Sequence, residues 1–342
     1  MKIRLATAAL ALLAMSCAAE AGQPYRVGLR YLEAPAPERG GSIEVALWYP
    51  TAAAAASEVV GETAIFRGVA VQPGAPMIAG RLPLVLLAHG GIRAAPNLGA
   101  WVASGLAARG YAVALPRQPD PARLAARQAP RELWLRPADL SATLDALEGD
   151  AILASRLDGV AVVGFFLGGT SALALAGARL DEGRYVQSCD HDAPGPDCAW
   201  YAKAGVDLHA LDLAPVGRSS IDRRIRLAVA VAPELSTSFD AASLAAIAVP
   251  VRLVDLGQGG APDMNVAGLA HAIPHARYEI VPGATPFSAF PECQPRGAAL
   301  LRDDGEDEAL CQEAGGRARA AIHDQLLDIV DAALKQAFGR GS

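Results

Sequence analysis

The stretch that most constrains this chain is Val160–Ala174, which reads VAVVGFFLGGTSALA. A short apolar β-branched run, Val160–Val163, stops at Gly164. Gly168-Gly169 then lead into Thr170–Leu180, whose Ala and Leu residues favour helix. This is strand, sharp turn, helix, with small residues where the backbone has to turn tightly. A turn of that kind presents one side chain at its tip, and here that side chain is Phe166. Phe has no lone pair to attack a carbonyl and no proton to give a base.

The flanking segments alternate in type. Gln23–Glu33 and Ser42–Tyr49 read as strands, the second with Ile43, Val45, Leu47 and Tyr49 on one side. Thr51–Ser57 is a connection, Ala64–Val71 an extended segment and Gly74–Pro83 a loop. Leu84–Ala88 is continuously apolar, as expected of a parallel strand buried on both faces. It runs into His89-Gly90-Gly91. A helix is predicted over Leu98–Arg109, capped by Asn97 and ended by Gly110. Tyr111–Leu115 is a strand, Pro116–Pro130 a loop, and Pro137 opens a helix over Ala138–Leu147. Residues 182–222 form a loop-rich insertion without a clear strand. Strands follow at Ile225–Val231, Val249–Leu256 and Arg277–Val281, with a helix at Val266–Ala272. Arg317–Phe338 is amphipathic, with Ile322, Leu326, Ile329, Val330 and Leu334 on one side. The sum is a doubly wound, mostly parallel α/β sheet with helices on both faces and antiparallel strands at its N-terminal edge. Residues 22–342 read as a single domain.

Of 342 residues, 52% are hydrophobic and 19% charged, which is ample for a large core. Net charge is −6 and no basic run exceeds Arg223-Arg224, so nucleic-acid binding has no support in the charge pattern. Lys2 and Arg4 precede an apolar run, Leu5–Met15, and a small-x-small site, Ala19-Glu20-Ala21. Residues 1–21 are therefore expected to be a signal peptide. The mature chain would begin near Gly22 and be periplasmic or secreted. The apolar run is too short for a membrane span. Lipidation at Cys17 is the less favoured alternative, because Ala14 stands where that signal normally wants Leu.

Export changes how the cysteines read. Cys189, Cys198, Cys293 and Cys311 remain in the mature chain, an even count that argues for disulfides in an oxidising compartment. Four cysteines allow three pairings. The local one, Cys189–Cys198 with Cys293–Cys311, closes two loop-like stretches at little cost in topology. There is no C-x-x-C, and His191 between Asp190 and Asp192 reads as a solvated loop cluster, so no metal and no cofactor are called for.

The order of these parts resembles the bacterial secreted α/β-hydrolases of the dienelactone-hydrolase-like and platelet-activating-factor-acetylhydrolase-like family. The matching pieces are VALWYP (Val45–Pro50), GETAIFRGVAV, LPLVLLAHGG (Leu82–Gly91), RPADLSATLDAL (Arg136–Leu147), VVGFFLGGTSALALAGA (Val162–Ala178) and AIPHARYEIVPGA (Ala272–Ala284). The resemblance implies an α/β-hydrolase fold with a Ser nucleophile at a strand-to-helix elbow, an acidic residue after the next-to-last strand and a His after the last. Carried over one at a time, the Ser position falls on Phe166. The acid falls on or near Gln258, with Pro262 as anchor; Asp255 lies within the strand and Asp263 beyond the proline. The His falls on Pro286 or Thr285. Backbone N–H groups of Gly91 and Leu167 match the oxyanion hole.

Three independent losses of the right chemical kind imply a catalytically degenerate hydrolase fold, binding an apolar small molecule or a protein partner. Candidate pocket residues are Phe165, Phe166, Trp101, Phe287 and Phe290. A bulky Phe166 either plugs the pocket, which is the plainer outcome, or lines an apolar site. His89 is expected to orient a loop, Thr170 and Ser171 to satisfy backbone groups, and His323 to be exposed. Two other classes remain: an active esterase or acyl hydrolase with a relocated nucleophile, Ser288 or Ser171, and a structural interaction protein without a pocket.

Overall fold

A computed structural model describes residues 24–54, 56–190, 195, 197–257, 264–313 and 315–339. The expected signal peptide, Cys17, His191, Asp192, Gln258, Pro262 and Asp263 lie outside the described residues.

Ten strands join in one sheet: β1 (Arg26–Ala36), β2 (Gly41–Thr51), β3 (Glu58–Val60), β4 (Val69–Pro73), β5 (Leu82–His89), β6 (Ala112–Pro116), β7 (Leu157–Phe165), β8 (Ile225–Val231), β9 (Val251–Asp255) and β10 (Arg277–Ile280). Their order is β10-β9-β8-β7-β5-β6-β2-β1-β4-β3. The run from β10 to β6 is parallel, whereas β1, β2 and β3 pair antiparallel at the N-terminal edge. This is the α/β-hydrolase fold class.

The chain goes from β5 to β6 on one side and then to β7 on the other, so winding reverses at β5. In doubly wound sheets, ligands bind in the crevice that such a reversal opens at the strands' carboxyl ends. The ends of β5 and β7 carry His89-Gly90-Gly91 and the Phe166 turn.

Alternation along each strand divides the core into two layers. Leu84, Leu86, Val160 and Val162 face one layer; Val85, Leu87, Ala161, Val163 and Phe165 face the other. Ile43, Val45, Leu47 and Tyr49 are all buried on the first side. Helices Glu132–Gly149 and Leu167–Ala176 cover that side, and helices Ala100–Ala108 and Arg319–Phe338 cover the second.

Some boundaries differ from the local signals. The helix expected to open at Pro137 starts at Glu132, and Pro137 lies inside it. Pro withholds one helical hydrogen bond. The preceding turn is held instead by burial of Glu132, Leu133, Leu135 and Arg136. Asn97 does not cap the next helix with its side chain; its backbone carbonyl accepts from Ala100 N–H at 3.1 Å. The helix after the turn starts at Leu167 and stops at Gly177, whose φ of 117° suits a residue without Cβ. Residues 182–222 contain short helices, including Glu182–Gln187 and Cys198–Lys203, and no strand among the described residues.

The two disulfides are the local pairs, Cys189–Cys198 and Cys293–Cys311. They are consistent with export to an oxidising compartment. Among the described residues no helix is long and apolar enough to cross a membrane.

Candidate functional site

The turn at Phe166 is set by close backbone approach. A Cβ on Gly164 would stand 1.9 Å from Gly168 O, and one on Gly168 would stand 2.2 Å from Ala88 O. Larger residues cannot occupy either position without separating β7, its helix and β5. Phe166 itself has φ 58° and ψ −124°, a conformation that costs a bulky residue about 1–3 kcal/mol. Neighbouring structure holds it there. Its N–H donates to Val231 O at 3.0 Å, and its carbonyl accepts from Thr170 N–H and Glu234 N–H. Thr170 Oγ1 also donates to Glu234 O, and Ser171 Oγ donates to Leu167 O, so both hydroxyls serve the backbone as expected.

Phe166 is 4% exposed yet does not fill the space above it. It lines an open cleft of about 470 Å³. Phe66, Met264, Pro286, Phe287 and Phe290 also line the apolar side. The Phe290 ring lies 5.8 Å from Phe166, 6.2 Å from Phe66 and 6.2 Å from Phe287. Two of the pocket candidates, Phe165 and Trp101, lie in the core below. Strand alternation turns Phe165 away from the tip and onto His89, ring centroids 4.8 Å apart. Trp101 packs edge-on to Phe165 and stacks on His323 at 3.6 Å.

These buried rings fasten the segment that carries Phe287 and Phe290. His89 Nε2 and Trp101 Nε1 both donate to Ala289 O, at 2.9 and 3.0 Å. His323 Nε2 is 3.0 Å from both Ser288 O and Phe290 O. Burial pushes the His89 pKa down to about 3, with His323 lowering it further, and pushes His323 down to about 4. Both imidazoles are therefore neutral N–H donors near neutral pH. His323, expected at the surface, is 6% exposed because the aromatic stack covers it. Pro286 opens a short 3-10 turn, Pro286–Ala289. Ser288 is fully buried and donates its hydroxyl to Glu313. Arg319 pairs with Glu313 and donates to Pro291 O and Leu310 O, beside the Cys293–Cys311 bridge.

The opposite wall is charged. Gly91, Arg93, Asp197 and Glu234 line it. Arg93 Nε meets Asp197 at 3.0 Å, and its guanidinium lies 5.2 Å from the Trp200 ring. Burial raises the Asp197 carboxyl, against the pull of Arg93. Behind this wall Arg136 is fully buried. It donates to Gly90 O at 2.9 Å, Gly91 O at 2.9 Å and Ile92 O at 3.1 Å, and contacts Glu132. Arg39 joins Glu132 to Asp139. Burial lifts the Asp139 carboxyl to about 6, although Arg39 hydrogen-bonds it. At Glu132 burial is outweighed by Arg39, and the carboxyl is lowered.

The Gly91 and Leu167 N–H groups donate to no acceptor among the described residues. Leu167 and Glu234 border a smaller cavity that shares Asp197 with the main cleft. Asp255 at the end of β9 accepts from Tyr278 Oη at 2.8 Å and Gly257 N–H at 3.0 Å. Asp190 contacts His209. Among the described residues no group of three or more His, Cys, Asp or Glu is placed to hold a metal. Local sequence patterns do not single out Arg93, Asp197 or Glu234, and they give Arg136 only as the first residue of a matching motif. The available signal for Glu234 was its place just after the apolar strand Ile225–Val231, at a strand's carboxyl end.

No protein-family model and no curated protein sequence matches the chain. Its fold is similar to that of a solved ferulic acid esterase from Streptomyces cinnamoneus, with a TM-score of 0.59 and 18% identity. The likeness covers 95% of this chain and 94% of the esterase.

Proposed function

We propose that this protein is a catalytically degenerate α/β-hydrolase-fold protein, exported from the cell, whose cleft binds an apolar small molecule without turning it over. The observation that carries this reading is the residue at the elbow. Phe166 occupies the strained tip and lines the aromatic side of a cleft whose described lining contains no Ser, Cys, Thr, His or Lys, its charged groups being Arg93, Asp197 and Glu234. Ester hydrolysis by a triad needs a nucleophile, a base and a group that orients the base. Phe166 cannot attack, Pro286 at the expected base position carries no transferable proton, and Gln258 has no carboxylate to support an imidazolium. His89 is a weak base engaged with Ala289 O below the floor.

The test is intact-mass labelling of the purified protein with an activated fluorophosphonate, beside an active esterase. No adduct on the folded protein, with the control labelled, is the expected result. A stoichiometric adduct overturns the reading, and peptide mapping then names the nucleophile. The likeness to a ferulic acid esterase favours a second reading, an active ester hydrolase with its nucleophile elsewhere. Ser171 and Ser288 are poor hosts for it, since both are buried and hydrogen-bonded away from the cleft.

A further inference from the structure

We infer that the cleft takes an apolar ligand ending in an uncharged hydroxyl, an alcohol or a phenol, and that the buried pair Tyr185 and Tyr201 receives that group. This rests on the apolar-ligand reading above and adds the ligand's chemical class.

The subsite is the smaller cavity beside the cleft, about 20 Å³, which is room for one water-sized group. Asp197 and Glu234 line both spaces, so the cavity and the cleft share a wall. Leu167, Leu235 and the Cys189–Cys198 bridge make most of the cavity's surface apolar.

Two tyrosine hydroxyls meet there. Tyr185 and Tyr201 are each 3% exposed, and their hydroxyls contact each other at 3.4 Å. Either can donate, but the one that accepts keeps a proton with no acceptor among the described residues. Buried donors are seldom left so. Ser188, the third hydroxyl in the lining, donates to Tyr185 O at 2.7 Å. In the shared wall, Asp197 Oδ1 accepts from Arg93 Nε at 3.0 Å, while Oδ2 takes no donor among the described residues. Burial raises both phenols, and the Asp197 carboxylate adds to the rise at each, so its charge acts on both hydroxyls.

A spare donor and a spare acceptor at one small cavity complement a hydroxyl, which can take the tyrosine proton and give its own to Asp197 Oδ2. A methyl ether has no proton to give and adds a carbon to a space that holds one water. A hydrocarbon leaves both groups unpaired, and a site built to hydrogen-bond a hydroxyl discriminates against the analogue without it. The ligand's apolar body then lies along Phe166 and Phe290 in the cleft.

The experiment uses the whole protein and displacement of Nile red, a neutral probe whose emission reports an apolar site. 4-Ethylphenol, 4-ethylanisole and ethylbenzene are compared at neutral pH, where all three are uncharged. 4-Ethylphenol is expected to bind at least about tenfold more tightly than the other two. Tyr185→Phe together with Tyr201→Phe removes both partners of one hydrogen bond and keeps the rings, a change that costs a fold little. In that double variant, checked for folding by a cooperative urea transition, the preference disappears. If the variant does not fold, the wild-type comparison alone decides. Equal or reversed affinities in the wild type, as a resident water that no ligand displaces would give, overturn the hydroxyl subsite. So does failure of 4-ethylphenol to displace the probe, or a preference unchanged in the folded double variant. Each of these leaves the apolar-ligand reading standing. Failure of Nile red to bind at all overturns the ligand reading and the subsite with it.

Discussion

On one wall of the cleft, the segment that carries Phe287 and Phe290 is held at the floor by neutral donors, two uncharged histidines and a Trp N–H, with a disulfide and the Arg319–Glu313 pair behind it. On the other, Gly91 and Glu234 stand on a buried network of arginines and carboxylates. Each wall is positioned by side chains that do not themselves face the cleft. The difference lies in what loosens them. Neutral donors fail when they become charged, whereas a charge network fails when one partner is removed.

The largest effect expected is on the charged wall. Arg136→Met leaves Glu132 buried without this partner and takes a donor from three loop carbonyls, of which Gly91 O keeps the Ala94 N–H. Removing one member of a buried charged set costs about 3–5 kcal/mol. Urea unfolding measures it, and the Gly90–Ile92 loop should lose its ligand with it, read by Nile red. A cost within about 0.5 kcal/mol, the range of ordinary surface changes, would mean the loop does not depend on Arg136.

The aromatic wall is next. Cys293–Cys311 closes a span of 18 residues and Cys189–Cys198 a span of 9. Loop entropy makes the first worth about 3 kcal/mol and the second somewhat less. Replacing Cys293 and Cys311 together by Ser should also weaken Nile red binding, because the backbone of Phe66 bridges to Cys293. Equal loss of probe affinity from either Cys pair would erase the contrast between the walls.

Acid should separate the walls further. In the unfolded chain His titrates near 6.5, but in the fold His323 does so at about 4 and His89 at about 3. A base with a lowered folded pKa lends stability that is complete above the unfolded value and is lost as pH falls toward the folded one. Each histidine should thus lose about 2 kcal/mol of stability between pH 6.5 and about pH 5. Asp139 runs the other way: raised from 3.8 to about 6, it loses stability as pH rises through that window and regains it on acidification. Glu132, lowered, opposes Asp139. The acid lability therefore belongs to the aromatic wall. Urea midpoints against pH should show His323→Gln taking up one proton fewer on unfolding. An unchanged pH slope in that variant would put the lability elsewhere.

Much of this architecture was legible because it depends on neighbours in sequence. Gly164, Gly168 and Gly169 announce the turn, and the alternation of Ile43, Val45, Leu47 and Tyr49 announces a strand with one buried side. What was not legible depends on distant partners. His323 sits in a charged stretch and looks exposed until Trp101 covers it. Pro137 looks like a helix start until the burial of Glu132 and Arg136 extends the helix backwards. Phe165 and Trp101 look like pocket aromatics, but strand alternation and the His323 stack place them in the core. The charged wall was the hardest to read, since Arg39, Glu132, Arg136 and Glu234 come from three separate segments.

The smallest change expected is in chemistry, and it bears on the floor where the two walls meet. Phe166→Ser restores a hydroxyl at the elbow tip, with the turn kept by Gly164 and Gly168. A serine there still needs a base within hydrogen-bond reach to become a nucleophile. Among the described residues the ring nearest the tip with any basicity is His89, 6.0 Å from the Phe166 ring. Burial holds its pKa near 3, and its Nε2–H is given to Ala289 O. Fluorophosphonate labelling of Phe166→Ser should therefore stay at the wild-type level, even where the variant binds Nile red in a widened cleft. Rapid labelling would show that a base does reach the tip, and the loss of activity would then rest on one residue rather than on three.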